Sequence, residues 1–165
     1  MFFVVLTARC VHAEAIPLQY SHGAYMVSVQ INGKMTIPFI LDTGASDTAI
    51  PADVFLALLR TATVKDSDYL GTETYVVADG SKLSSKRFLL RELRVGDHVV
   101  RNVIANVVPV SGDPLLGQTF LSQLPSWSID NARHLLVLHD APRGGRFSWL
   151  SSIRNQRGDR VLREM

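Results

Sequence analysis

Two runs rich in apolar and β-branched residues, Tyr25–Ile31 and Lys34–Leu41, are joined by Asn32-Gly33. An Asn-Gly pair between such runs suits the tight turn whose twist matches two antiparallel strands, so the pattern predicts a hairpin. The region 72–93 predicts a second one: Thr74–Ala78 alternates, Asp79-Gly80 turns the chain, and the pattern resumes from Ser81 through Leu90. Residues 93–110 predict a further pair of strands about Gly96-Asp97, adding two strands to the sheet. Trp127–Asp130 and Arg133–Leu138, about Asn131-Ala132, close the series. Helical spacing occurs over Pro51–Arg60, where a proline at the start and apolar residues on one face predict a short helix. The chain is therefore expected to be all-β, with one or two short helices.

The second arm of the first hairpin ends in Phe39-Ile40-Leu41-Asp42-Thr43-Gly44-Ala45-Ser46. Three apolar residues carry a strand to the point where an acid, a hydroxyl and a glycine follow. Gly44 is expected to let the loop turn through angles that other residues avoid, aiming N–H groups back at the Asp42 carboxylate. Asp42 is thus the candidate reactive group.

A chain of 165 residues with 47% hydrophobic residues has enough material for one domain with a real core. The formal charge of +2 is unevenly placed. Six arginines lie beyond Ala141 against Asp159 and Glu164, whereas residues 14–141 carry more acids than bases. The basic excess belongs to the end of the chain, so the composition gives no nucleic-acid signature. Cys10 is the single cysteine, which excludes an intramolecular disulfide and a thiolate metal cluster. The five histidines lack metal-ligand spacing, and no nucleophile elbow, phosphate loop or dinucleotide fingerprint occurs. No metal and no cofactor are expected.

Residues 1–15 combine a short apolar run, Phe2–Leu6, with small residues at Val11 and Ala13, which resembles a secretory signal cleaved after Ala13. Arg9 and the lack of a basic residue before the run argue the other way. The expected location is periplasmic or secreted, with the cytoplasm as alternative. Residues 16–140 form the expected domain, and 141–165 a basic, flexible tail. Phe147, Trp149 and Leu150 in that tail offer a second reading, contact with an anionic membrane surface or a partner subunit.

Asp42-Thr43-Gly44-Ala45-Ser46, preceded by apolar residues, resembles the active-site loop of the single-domain, retropepsin-like aspartic proteases found in bacteria. Ala78-Asp79-Gly80 is similar to the tip of that family's substrate-covering flap. Leu115-Leu116-Gly117, running into Gln118–Leu121, is similar to its second landmark, a strand that supports the catalytic loop from beneath. The three motifs occur in the family's order between Ala24 and Leu138. The resemblance implies a retropepsin-like closed barrel of hairpins, one lobe per chain. It also implies that Thr43 bonds across a dimer, that Gly44, Ala45 and Ser46 shape the loop, and that Asp79-Gly80 cap a bound peptide.

Such enzymes need two carboxylates sharing one proton, because like charges at close range do not both ionise. The sequence holds one Asp-Thr-Gly, so a protease would be a homodimer in which each chain supplies Asp42. The function implied is aspartic endopeptidase, acting on peptide or protein substrates. A non-catalytic peptide-binding or dimerisation module of the same fold is the alternative. An envelope-associated structural domain docking through the tail is a third reading. Two positions depart from the retroviral pattern: Ser46 and Gln118 stand where an acid and an arginine usually pair to brace the dimer. Losing both leaves no lone buried charge, so a neutral hydrogen bond can replace the pair without a large penalty.

Overall fold

The computed structural model describes residues 13–76 and 80–139. Most of the signal-like segment and the whole basic tail lie outside the described residues. Ala13–Pro17 form strand β1, so Glu14 and Ala15, within the signal-like stretch, are paired residues of the domain.

The first predicted hairpin is present as β3 (Ala24–Ile31) and β4 (Met35–Leu41), preceded by the short strand β2 (Gln19–Ser21). Asn32 and Gly33 sit at φ 46° and 67°, the pair of positive angles that this two-residue turn requires. Alternation decides which face is inside. Val27, Val29 and Ile31 are buried while Ser28 is exposed, and Phe39 of β4 lies in the same core. Asn32 does more than turn the chain: its side chain donates to Thr63 O at 2.8 Å and accepts from Glu92 N–H at 3.0 Å, tying the turn to two distant segments.

After the Asp42 loop comes β5 (Thr48–Pro51), buried throughout, then helix α1 (Ala52–Arg60). Pro51 precedes the helix with φ −58°, an angle suited to a helix start. Phe55 and Leu58 of α1 are its buried residues, and the Phe55 ring sits 4.2 Å from that of Phe88. Covering such a ring stabilises the domain by about 2 kcal/mol.

The second hairpin comprises β6 (Tyr69–Val76) and β7 (Lys82–Val95), and β8 (His98–Val108) follows the Gly96-Asp97 turn. Here the expected addition of two strands is corrected to one. Lys82–Val95 contains no Gly, Pro, Asn or Asp, so nothing interrupts it, and a single strand of 14 residues serves both hairpins. It pairs with β6 over its first half, with β8 over its second, and with β3 at Leu93 and Arg94.

Leu115–Leu116 form β9, which lies parallel to β4 and antiparallel to β5. Gln118–Leu121 form the four-residue helix α2. Strands β10 (Ser126–Asp130) and β11 (Leu135–His139) make the last hairpin. Its turn is longer than expected, because Asp130 accepts the Arg133 N–H at 2.9 Å and His134 takes φ 52° before β11 begins.

The larger sheet runs β2-β3-β4-β9-β5-β8-β7-β6, and the β3–β7 pairing joins it into a ring. A second sheet, β1-β11-β10, brings the two ends of the described domain together. Ile16, Leu136 and Leu138 of this sheet join Val29, Phe39, Leu90, Leu116 and Phe120 in one core. The mostly-β architecture, the hairpins and the two helices match the expected fold class.

Candidate active site

The Asp42 loop is held from beneath by hydrogen bonds that the β4–β9 register makes possible. Ile40 N–H donates to Pro114 O at 2.9 Å and Asp42 N–H to Leu116 O at 3.2 Å. At Gly117 the two segments come still closer. A β-carbon there would stand 2.3 Å from Asp47 O and 2.8 Å from Ala45 O, distances at which only glycine fits. Immediately beyond, Gln118 N–H donates to Ala45 O at 2.9 Å and Thr119 N–H to Ser46 O at 3.1 Å. Thr119 Oγ1 donates to Ile104 O at 2.7 Å and accepts the Thr48 N–H at 2.9 Å, joining β5, β8 and α2.

Within the loop, Asp42 Oδ1 accepts the N–H of Gly44 at 2.8 Å and that of Ala45 at 3.2 Å. The carboxylate is thereby fixed in position while remaining partly accessible. The reason for Gly44 differs from the expectation. Its φ is not in the left-handed region. What it provides is room, since a β-carbon there would stand 3.3 Å from Asp42 Oδ1, a tight approach.

Asp42 lines a pocket of ≈ 510 Å³. The other walls come from one face of β6, β7 and β8. Opposed residues in a sheet share a face, and so do residues two apart along a strand. Tyr75 opposes Leu83, and Arg87 opposes Asn106. Tyr75, Leu83, Asn106 and Val108 therefore meet in the pocket, with Val76 at its rim. Of the residues expected to form a flap, Ala78 and Asp79 lie outside the described residues. Gly80 is exposed at φ 82°, a conformation that glycine takes readily.

A second carboxylate borders the same pocket. Asp47, the last loop residue before β5, is buried to 7% exposure. Its Oδ2 accepts the Tyr75 hydroxyl at 2.5 Å and Arg87 Nε at 2.8 Å, and its Oδ1 lies 3.3 Å from Arg87 Nη2. Burial pushes the Tyr75 phenol well above its usual range, and its hydrogen bond to Asp47 adds to this, so the hydroxyl stays a donor. Burial works to lower the Arg87 pKa, but the hydrogen bond and charge of Asp47 outweigh it and the net direction is upward. Glu73 stands 3.8 Å from Arg87 on the solvent side.

Residues 27–120 match the aspartyl protease family model. The chain belongs to the aspartyl protease family. Among solved structures, a retropepsin-like aspartic protease from Rickettsia conorii matches with a TM-score of 0.55 at 20% identity. The match covers 81% of this chain and 97% of that one, and it shows a shared fold. No curated protein gives a significant sequence match.

In this member of the family, several of the motif residues lie around one pocket. Asp42, Gly44, Ala45, Ser46 and Leu115 border the pocket, and Leu116 and Gly117 support the loop. Thr43 is exposed, with its carbonyl accepting Gln118 Nε2 at 2.8 Å. Gln118 thus bonds to the Thr43 backbone and not to Ser46. An acid–arginine pair is nevertheless present one position further on, between Asp47 and Arg87 within one chain.

Sequence reasoning missed Asp47, Tyr75, Arg87 and Thr119. Asp47 lies inside the motif stretch, and a second acid there was a usable signal. Its partners come from strands 28 and 40 residues away and depend on the β6–β7 register.

Proposed function

We propose that this protein is an aspartic endopeptidase whose active site forms when two chains bring their Asp42 residues together. The observation that carries this reading is the Asp42 carboxylate, anchored through one oxygen by two backbone N–H groups and bordering a pocket lined largely by apolar residues. Such a pocket suits one side chain of an extended peptide.

A water between the two Asp42 carboxylates is the nucleophile. The ionised carboxylate takes a proton from the water as its oxygen attacks the peptide carbonyl carbon, and the protonated carboxylate gives its proton to the carbonyl oxygen. The tetrahedral intermediate collapses when the nitrogen is protonated by the carboxyl that received the water's proton. The C–N bond then breaks as a hydroxyl of the intermediate returns its proton to the other carboxylate, leaving an acid and an amine and restoring the dyad. Gly44 and Ala45 keep each carboxylate at the strand end, so little reorganisation is needed as charge moves. Thr43 is exposed beside Asp42, and in this reading it bonds to the partner's loop. Two carboxylates sharing one site do not both ionise, so the second chain supplies the partner that lets one act as acid and the other as base.

The test is digestion of a diverse peptide mixture by the purified chain from about pH 4 to 7, with Asp42→Asn alongside. Cleavage by the wild type and none by the folded, dimeric variant is the expected result. If both are folded dimers and neither cuts, the non-catalytic peptide-binding module replaces the protease reading.

A further inference from the structure

Asp47 presents a puzzle that the proposed chemistry does not use. It is a buried carboxylate beside the pocket that holds Asp42, and a free negative charge there would attract the basic side chains of a peptide. Instead the charge is covered. Arg87 approaches both of its oxygens and the Tyr75 hydroxyl takes a third contact, all from the sheet face that also presents Leu83 and Asn106. Arg87 itself is turned toward Asp47, with Glu73 behind it at 3.8 Å. The pocket thus presents Ala49, Val76, Leu83, Val108 and Leu115 as apolar surface, with no uncompensated charge from Asp47.

We propose that Arg87 and Tyr75 determine which side chain this pocket accepts, by masking Asp47 so that an uncharged, apolar peptide side chain is taken and a basic one rejected. The proposal rests on the reading of the pocket as a peptide site. Tyr75 on β6 and Arg87 on β7 also tie these two strands to the active-site loop through Asp47, so their effect on the reaction is one of positioning and selection.

The charge logic fixes a distinctive pattern of variants. Arg87→Leu keeps most of the side-chain volume and uncovers the carboxylate, so the pocket should turn toward lysine. Adding Asp47→Asn removes the uncovered charge and should turn it back. A change that merely loosened the fold would not reverse in this way.

The experiment uses a mixture of short peptides carrying Leu or Lys at each position in turn, read by mass spectrometry in two ways. One is cleavage by the otherwise wild-type chain; the other is retention on the full chain carrying Asp42→Asn, which needs no catalysis. Arg87→Leu is expected to move the Lys-to-Leu preference by roughly tenfold toward Lys, as the exposure of one charge partner implies. Arg87→Leu with Asp47→Asn is expected to return it to the wild-type value. Should Arg87→Leu fail to fold, Tyr75→Phe retains the ring, removes one donor and should move the preference the same way by about threefold. Unchanged preference in the folded variants overturns the inference. Retention that shifts as expected without cleavage by any chain would keep the inference and remove the protease reading. Cleavage with no shift would do the reverse.

Discussion

The α-carbon of Gly117 is packed so closely on the Asp47 carbonyl that a β-carbon added to it would lie 2.3 Å from the oxygen. Both partners are backbone, so no side-chain rotation can relieve the overlap. Gly117→Ala must push β9 away from the Asp42 loop. The expected cost is about 3 kcal/mol of stability, with cleavage reduced further because Asp42 moves with its loop. Urea unfolding monitored by tryptophan fluorescence, together with activity of the folded fraction, measures both. An alanine variant with wild-type stability would show that the close approach is not structural.

Thr119 is expected to matter more than its partly exposed position suggests. Replacing it by valine keeps the shape but leaves the N–H of the fully buried Thr48 and the carbonyl of Ile104 without their hydroxyl partner. A loss of roughly 1–3 kcal/mol follows from orphaning such groups, whereas Thr119→Ser, which keeps the hydroxyl, should lose well under half of that. Comparing urea midpoints for the two variants separates the hydroxyl from the methyl.

Tyr75 gives a pH prediction at the alkaline end. Folding raises its pKa above the ordinary value of 10.0, because burial disfavours the phenolate and the hydroxyl donates to Asp47. A group with a raised folded-state pKa adds stability that is complete below its unfolded pKa and lost as pH rises toward the folded value. The wild-type melting temperature should therefore fall with increasing pH above about pH 10, and Tyr75→Phe should flatten this part of the profile. Equal slopes in the two proteins would mean that the buried hydroxyl does not couple to folding.

How legible the molecule was from its sequence depended on the range of the interactions. Asn32-Gly33 announces its hairpin because the turn's positive φ angles are a local demand met by two residue types. The Asp42 motif is likewise local, with its anchoring donors two and three residues away. Pro51 and the apolar face of Phe55 and Leu58 sufficed for α1. Strand β7 was divided wrongly because a period-two pattern says nothing about where a long strand changes partner. Strands β1 and β2 escaped notice for a related reason. β1 is held by pairing with β11 at the far end of the domain, and by Glu14 accepting the Asp97 N–H at 2.7 Å.

At the site, the reason for Gly117 is readable only in three dimensions, since its constraint is a carbonyl 70 residues earlier. The same holds for Asp47. Its sequence neighbours marked it as part of a loop, but its masking by Tyr75 and Arg87 follows from the registers of three strands. Local turn chemistry and motif spacing pointed to the candidate reactive residue; the groups that shape its surroundings were fixed by pairing across the sheet.

The most direct test of the central claim, that two chains each contribute Asp42 to one site, is a mixing titration. Wild-type and Asp42→Asn chains are combined at fixed total concentration, allowed to exchange, and assayed for peptide cleavage. If only dimers with two Asp42 residues cut, activity falls as the square of the wild-type fraction. A linear fall would mean that each chain cuts with its own Asp42 alone, and would contradict the shared site.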